Sequence, residues 1–302
     1  MHVLIEPNRV KNIIITSLLF SISTVSFCQF HFPDLSAKGS IKQRVGFTFI
    51  RVDYGRPAAR GRKIFGGLVP YKELWRTGAG YCTKIKFSDS VRINEKQIWA
   101  GTYSLFTIPD INDWTIILNS DTSLYATDGY DEKKNVVSFK TPIKKSSRYY
   151  ESLTIDIDVV PNDALISIGW EEIVVSFKVG TSTARKVNDF IDTSLLTDKS
   201  RDSNQYGMAA EYYLFLNKDF DKALILANKA ITLNPKETWF YTLKTNALEK
   251  QGKYAEAIAA SNTCLEVAQK YGKELGWDAE TQRMAIEEMK ARIDSLKKKL
   301  KK

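Results

Sequence analysis

Apolar and polar side chains alternate with a period of two through much of the chain up to Val179. The alternation is clearest in residues 114–118, 153–159, 166–170 and 173–179. This pattern is typical of a β-strand that buries one face. Clusters of Pro, Gly, Asn and Asp separate the runs at short intervals, as turns do. We therefore predict an all-β antiparallel sandwich or barrel over residues 36–179.

A helical pattern begins after Gly180. Val187, Ile191 and Leu195 fit one face of a helix, and a polar stretch follows them. We predict a connecting helix and linker over residues 183–202, which separate the β domain from the rest of the chain.

From residue 203 onward the sequence contains an internal repeat. Five pairs of positions share a spacing of 34 residues: Leu214 and Leu248, Phe220 and Tyr254, Ala223 and Ala257, Ala227 and Ser261, and Ala230 and Cys264. An aromatic residue that opens a helix and small residues along it let paired helices approach closely, and this pattern resembles the tetratricopeptide repeat. Apolar positions over residues 286–300 fit a capping helix. We predict that residues 203–302 form an all-α domain of helical-hairpin repeats, which makes the fold mixed, with two domains, and that the repeats bind a protein or peptide.

The first 28 residues have the pattern of a secretory signal peptide. Two cations precede an apolar run over residues 13–25, and the small residues Ser26 and Cys28 fit a cleavage site after Cys28. We expect export to the periplasm or cell envelope, or secretion, with no transmembrane segment. The alternative is a lipoprotein acylated at Cys28, which the bulky Phe27 disfavours.

The formal net charge of +9 raises the question of a nucleic-acid partner. Much of the excess belongs to the C-terminal end, at Lys297, Lys298, Lys299, Lys301 and Lys302. A solvated helix end explains this tail, and contact with anionic lipid is the alternative. Because the body of the chain is only weakly basic and an exported protein meets little nucleic acid, we predict no nucleic-acid partner.

Histidine is nearly absent from the chain, at His2 and His31 only. Neither lies in a predicted domain, so a Ser-His-Asp or Cys-His mechanism has no base, and histidine-ligated metal sites have no ligands. Cys82 and Cys264 fall in different predicted domains, and we expect two buried free thiols, with a disulfide between them as the alternative.

Pairs of carboxylates keep enzymatic activity possible for this chain. Asp156 and Asp158 lie two residues apart in a predicted strand and share a face, where they fit Ca²⁺ binding or acid–base chemistry. The solvent face of a half-exposed sheet explains them as well. We predict no catalytic residue, no metal site and no cofactor, and the question of enzymatic activity stays open.

Residues 53–80, here called segment 53–80, look least like core-building sequence, because glycines, cations and aromatics are interleaved. The candidate ligand-binding residues are Asp53, Arg56, Arg62, Lys63, Tyr71, Trp75 and Arg76. The planar guanidinium group of arginine donates paired hydrogen bonds to anions such as carboxylate and phosphate, and flat aromatic rings stack on the faces of sugar rings. We predict a small anionic or sugar ligand. The alternative is a structural clasp in which the arginines pair with Asp53 and Glu73.

The same segment carries a family resemblance. GRKIFGGLVPYKELWRTGA, preceded by VDYGRP and followed by TKIKFS, AGTYSLFTIP and DWTIILN, resembles the DUF2911 domain of exported proteins from Bacteroidetes-type bacteria. Gly80-Tyr81-Cys82 stands where such proteins more often have Asn-x-Ala. The resemblance covers approximately residues 36–179 and implies a β fold and export, and it brings no activity with it.

Together these patterns favour an exported, non-catalytic binding or adaptor protein. In this hypothesis the β domain recognises the ligand and the repeats bind a protein. The alternative hypothesis is a carbohydrate- or phosphate-handling enzyme that uses a carboxylate as acid or base.

Overall fold

The computed structural model describes residues 33–301. The signal peptide predicted for residues 1–28, with Cys28, and both histidines lie outside the described residues. Within the described part of the chain, no helix combines the length and the apolar character that a bilayer span requires.

Nine antiparallel strands form one sheet in the N-terminal half of the described residues. They are β1 (Ala37–Val45), β2 (Thr48–Arg56), β3 (Thr83–Phe87), β4 (Val91–Ile93), β5 (Lys96–Ile98), β6 (Gly101–Pro109), β7 (Asp113–Asn119), β8 (Asn135–Val160) and β9 (Asp163–Gly180). Their order across the sheet is β1-β2-β3-β6-β7-β8-β9-β4-β5. The predicted antiparallel β fold is therefore confirmed.

The long strand β8 joins the two halves of this sheet. Its first part pairs with β7 and its second part with β9, and the register shifts on either side of Tyr150. Such irregularities bend a strand and strengthen its twist. Because β1 and β2 also lie against β8, the sheet folds over itself and encloses one core. The largest fully buried side chains of that core are Trp114 and Trp170.

Six α-helices occupy the C-terminal half of the described chain. They are α1 (Thr183–Phe190), which a π-helical turn (Ile191–Leu195) continues, α2 (Ser203–Phe215), α3 (Phe220–Leu233), α4 (Thr238–Lys250), α5 (Tyr254–Tyr271) and α6 (Ala279–Leu300). Asp202 and Asp278 cap α2 and α6 by accepting bonds from backbone N–H groups of the first turn.

The helices pair as the repeat predicts. Helices α3 and α5 begin at the equivalent residues Phe220 and Tyr254. The small residues at the three equivalent positions of each helix are all buried: Ala223, Ala227 and Ala230 in α3, and Ala257, Ser261 and Cys264 in α5. The predicted helical hairpins are confirmed, with α2 packing on α3 and α4 on α5.

Polar contacts hold the first helices against the sandwich. The carboxylate of Asp89 accepts hydrogen bonds from Ser182 and Lys186, and the backbone N–H of Phe47 donates to Thr183 at 3.2 Å. The amide of Asn162, in the turn between β8 and β9, donates to a tyrosine hydroxyl of α2 at 2.8 Å. The helical part is thus attached to the β domain at several points.

Candidate ligand-binding cleft

The two ends of segment 53–80 meet at Gly55. A Cβ atom at position 55 would lie 2.0 Å from the carbonyl oxygen of Ala79, and one at Gly78 would lie 2.9 Å from the carbonyl oxygen of Gly55. Only glycine permits so close an approach of two backbones. Between these ends, Trp75 and Thr107 of β6 exchange backbone hydrogen bonds of 2.8 and 2.9 Å. The segment therefore leaves the sheet at β2, lies along β6, and returns to where it started.

Trp75 belongs to the core of the sandwich. Its side chain is 8% exposed and stacks on Trp170, with 5.8 Å between ring centroids. It also contacts Trp114 edge-on at 6.0 Å, and its indole Nε1 donates to the carbonyl oxygen of Gly78 at 3.1 Å. The structure therefore gives this candidate residue no open ring face. Tyr71 keeps 37% of its surface exposed.

Two of the candidate arginines are occupied by groups of the protein itself. Arg56 donates from Nε to the carbonyl oxygen of Leu153 at 3.0 Å and from Nη2 to the hydroxyl of Thr154 at 3.2 Å. Arg62 donates to the carbonyl oxygens of residues 58 and 59 at 2.7 and 3.0 Å. Both side chains hold the segment in place, one on β8 and one on its own loop.

The clasp alternative pairs Arg56, Arg62 and Arg76 with Asp53 and Glu73, and no such pair is found among residues 33–301. Asp53 instead accepts hydrogen bonds of 3.0 and 2.8 Å from Arg51. The Nε atom of Arg76 is buried without a hydrogen-bond partner in the described chain, and Lys63 extends into solvent. As a clasp, the segment depends on backbone carbonyls and a threonine hydroxyl rather than on carboxylates.

A cleft of about 820 Å³ opens beside the two ends of the segment. We call it the tyrosine cleft. Its walls come from β1, β2, β3 and the loop that follows β7, and its principal side chains are Lys38, Asp53, Tyr81, Lys84 and Tyr125. Of the seven candidate residues, Asp53 is the one that lines it.

Two exposed tyrosines form the aromatic surface of the tyrosine cleft. Tyr81 and Tyr125 are 65% and 58% exposed, and their rings meet edge to face with centroids 5.1 Å apart. An antiparallel β-bridge joins the two residues, and the N–H of Ala126 donates to the carbonyl oxygen of Gly80 at 3.1 Å. Exposed aromatic rings on a fixed backbone suit the stacking of flat apolar ring faces.

The loop that carries Tyr125 is held by a polar network. The buried amide of Asn119 donates to the carbonyl oxygen of Asp131 and to the side chain of Asn135, both at 2.9 Å. Lys134 contacts Asp121 at 2.8 Å. The hydrogen bond from Lys134, helped by a serine hydroxyl, holds the pKa of Asp121 well below its usual value. Tyr125 therefore projects from an ordered loop.

The carboxylate of Asp53 remains ionised in the tyrosine cleft. Partial burial alone would raise the pKa of Asp53, but hydrogen bonds from Arg51 and Ser40 outweigh that effect and lower it. Lys84 lies opposite Asp53 in the pairing of β2 with β3. Within residues 33–301, no carboxylate oxygen lies within 4.0 Å of the Lys84 ammonium. The cleft therefore combines a satisfied anion with an available cation.

Gly80 explains the departure from the motif Asn-x-Ala. Its φ is +73°, and the space where a side chain would begin is open. Glycine and asparagine are the residues that adopt this left-handed conformation most readily, so the backbone requirement is the same for both.

Cys82 is 3% exposed and its thiol lies 2.9 Å from the hydroxyl of Ser104. Cys82 and Cys264 are buried and make no disulfide within residues 33–301.

Tyr81, Lys84 and Tyr125 line the cleft but were not among the candidate residues predicted from the sequence. Tyr81 directly follows the segment, and its position after a glycine in a turn was a usable signal. Tyr125 lies in a polar loop without periodicity, and a long-range bridge brings it to Tyr81. Lys84 was part of a strand whose polar face carried no distinguishing mark.

Residues 36–179 match the model of the DUF2911 family. The family is described as a protein of unknown function, so the match covers the β domain and assigns it no activity. No curated protein and no solved structure matches the chain. The family match therefore leaves the function of the β domain open.

Proposed function

We propose that this protein is a non-catalytic binding protein whose β domain takes a sugar in the tyrosine cleft. The exposed, fixed pair Tyr81 and Tyr125 carries the proposal. The volume of about 820 Å³ falls in the range of small-molecule sites. Sugar rings have apolar faces that stack on aromatic side chains and hydroxyl edges that hydrogen-bond to groups such as those around Asp53.

The alternative, an enzyme that uses a carboxyl group as a general acid, has less support. A general acid at neutral pH needs a raised pKa. The carboxyl pKa shifts found in residues 33–301, at Asp53, Asp89, Asp121 and Asp278, are all downward. Nitrogen atoms of Arg51 also lie within 3.0 Å of both carboxylate oxygens of Asp53. A binding role fits this arrangement better.

Isothermal titration calorimetry with a panel of soluble oligosaccharides tests the proposal. The parent protein should bind at least one member of the panel. Tyr81→Ala and Tyr125→Ala should each weaken that binding by about fivefold, because an aromatic contact is worth about 1 kcal/mol. The matched control is Tyr149→Ala, which removes a tyrosine that is 52% exposed on β8, outside the cleft.

Failure to bind any neutral or acidic member of the panel would contradict the proposal. Equal binding by Tyr81→Ala and the parent would contradict the assignment of the cleft. Loss of binding in the Tyr149→Ala control would point to another part of the β domain.

A second part of the proposal concerns export and the helical repeats. The protein is exported by its N-terminal signal, and the hairpins are tetratricopeptide-like repeats that bind a protein or peptide. Met208 and Phe215 support the binding role, because they are 63% and 71% exposed and lie seven residues apart on α2, which puts them on one face.

Pull-down from an envelope extract with the full-length protein tests the repeats. Phe215→Ser should lose a partner that the parent retains. Leu300→Ser is the matched control, since Leu300 is 52% exposed at the end of α6. Identical partners for the parent and Phe215→Ser would count against this surface. If mass spectrometry of the protein isolated from cells showed that residues 1–28 are still attached, the result would count against export.

A further inference from the structure

The tyrosine cleft is lined by two anions, Asp34 and Asp53, and two cations, Lys38 and Lys84, while Arg51 adds a further cation at its edge. Asp53 is satisfied by Arg51, with a shortest contact of 2.8 Å. Asp34 lies 3.9 Å from Lys38, in a pair that is largely exposed. In the described residues the Lys84 ammonium makes no ion pair within 4.0 Å and no side-chain hydrogen bond, although its charge acts on the carboxylate of Asp53 from a longer distance and helps to lower the pKa of Asp53. One positive charge in the cleft is therefore available to a ligand.

Lys84 is placed where a ligand on the tyrosines would meet it. It follows Tyr81 by three residues, which is about 10 Å along an extended chain. Its side chain is half-buried against the cleft wall, so the ammonium samples fewer positions than that of a fully exposed lysine. A ligand that spans the cleft can contact the rings and the ammonium together.

Of the two lysines that line the cleft, Lys84 is the one without a salt bridge in the described residues, since Lys38 lies 3.9 Å from Asp34. Arg56 and Arg62, which have the fork geometry suited to phosphate, donate to groups of the protein instead. A ligand with several clustered negative charges would find one available cation and would meet the carboxylate of Asp53. A neutral ligand would leave Lys84 without a partner in a partly desolvated site.

We propose that the ligand is an acidic sugar of the uronate type, whose ring faces contact Tyr81 and Tyr125 and whose carboxylate pairs with Lys84. This inference rests on the proposed function and narrows it to one class of sugar. The ion pair gives selectivity for the acid, and the tyrosines give affinity that does not depend on charge.

Three acidic oligosaccharides, of galacturonate, glucuronate and mannuronate, test the inference when each is compared with its methyl ester by calorimetry. The ester keeps the rings and removes the charge. The parent should bind at least one acid about tenfold more tightly than its ester, and added salt should reduce the difference. Lys84→Met should bind the acid and the ester equally.

Lys86→Met is the matched control, because Lys86 is exposed on the same strand and face, two residues from Lys84, and outside the cleft. It should keep the preference for the acid. Equal binding of acid and ester by the parent, or an unchanged preference in Lys84→Met, would overturn this inference while leaving the proposed sugar site standing. Binding of none of the acids and none of their esters would overturn the inference and count against the sugar site as well.

Discussion

Replacing Trp75 with alanine should destabilise the β domain. Trp75 is 8% exposed, stacks on Trp170 and touches Trp114. Its indole N–H also donates to the carbonyl oxygen of Gly78. Truncation of a buried Trp removes about 3–5 kcal/mol of stability, since it leaves a cavity that the surroundings fill only in part. For a β domain of this size, such a loss lowers the Tm by roughly 10 °C.

Urea denaturation followed by far-ultraviolet circular dichroism measures this change without relying on tryptophan fluorescence. Trp99→Ala is the control, because Trp99 is 70% exposed, and it should change the free energy of unfolding by less than about 1 kcal/mol. If Trp75→Ala were as stable as Trp99→Ala, the assignment of Trp75 to the core would be wrong, and Trp75 would again be a candidate for ligand contact.

Two further perturbations test how the cleft is built. Gly55→Ala should reduce stability by about 1–3 kcal/mol, since the new methyl group meets the carbonyl of Ala79. Gly180→Ala is the control and should have little effect, because the nearest neighbour of its new methyl group would lie at 3.6 Å. Thermal unfolding of both variants measures the difference, and equal Tm values would refute the close approach of the two backbones. Asp121→Asn should lower stability at neutral pH. Because the folded pKa of Asp121 is depressed below its ordinary value of 3.8, the stabilisation is fully present well above that pH and is lost as the pH falls through the lower folded pKa. The difference between parent and variant in urea titrations should therefore be constant from pH 5 to pH 7 and shrink below about pH 4, and a difference that grows on acidification would contradict the argument.

The parts of the fold that depend on local periodicity could be predicted from the sequence. Alternating runs such as residues 166–170 lie in β9, and the spacing of Phe220 and Tyr254 marks the starts of α3 and α5. The full length of β8 could not be predicted, because its middle, around residues 144–149, is polar on both faces where the strand bends between the two halves of the sheet.

The candidate site was harder to predict for two physical reasons. The amino-acid type of Trp75 does not show whether the ring is buried, and the partners of Arg56 and Arg62 are mostly backbone carbonyls, which every residue has. Tyr81 and Tyr125 become one surface through a contact that spans many residues. Segment 53–80 was singled out for its unusual composition. Much of that composition holds the segment together, and the cleft lies where its ends meet.

A crystal structure of the protein soaked with the oligosaccharide that binds most tightly would test the central claim most directly. We predict that electron density for a sugar ring will lie against Tyr81 and Tyr125, within contact distance of both rings. Density for the sugar elsewhere, such as in the cavity of about 510 Å³ lined by α4, α5 and α6, with the tyrosine cleft empty, would contradict the claim.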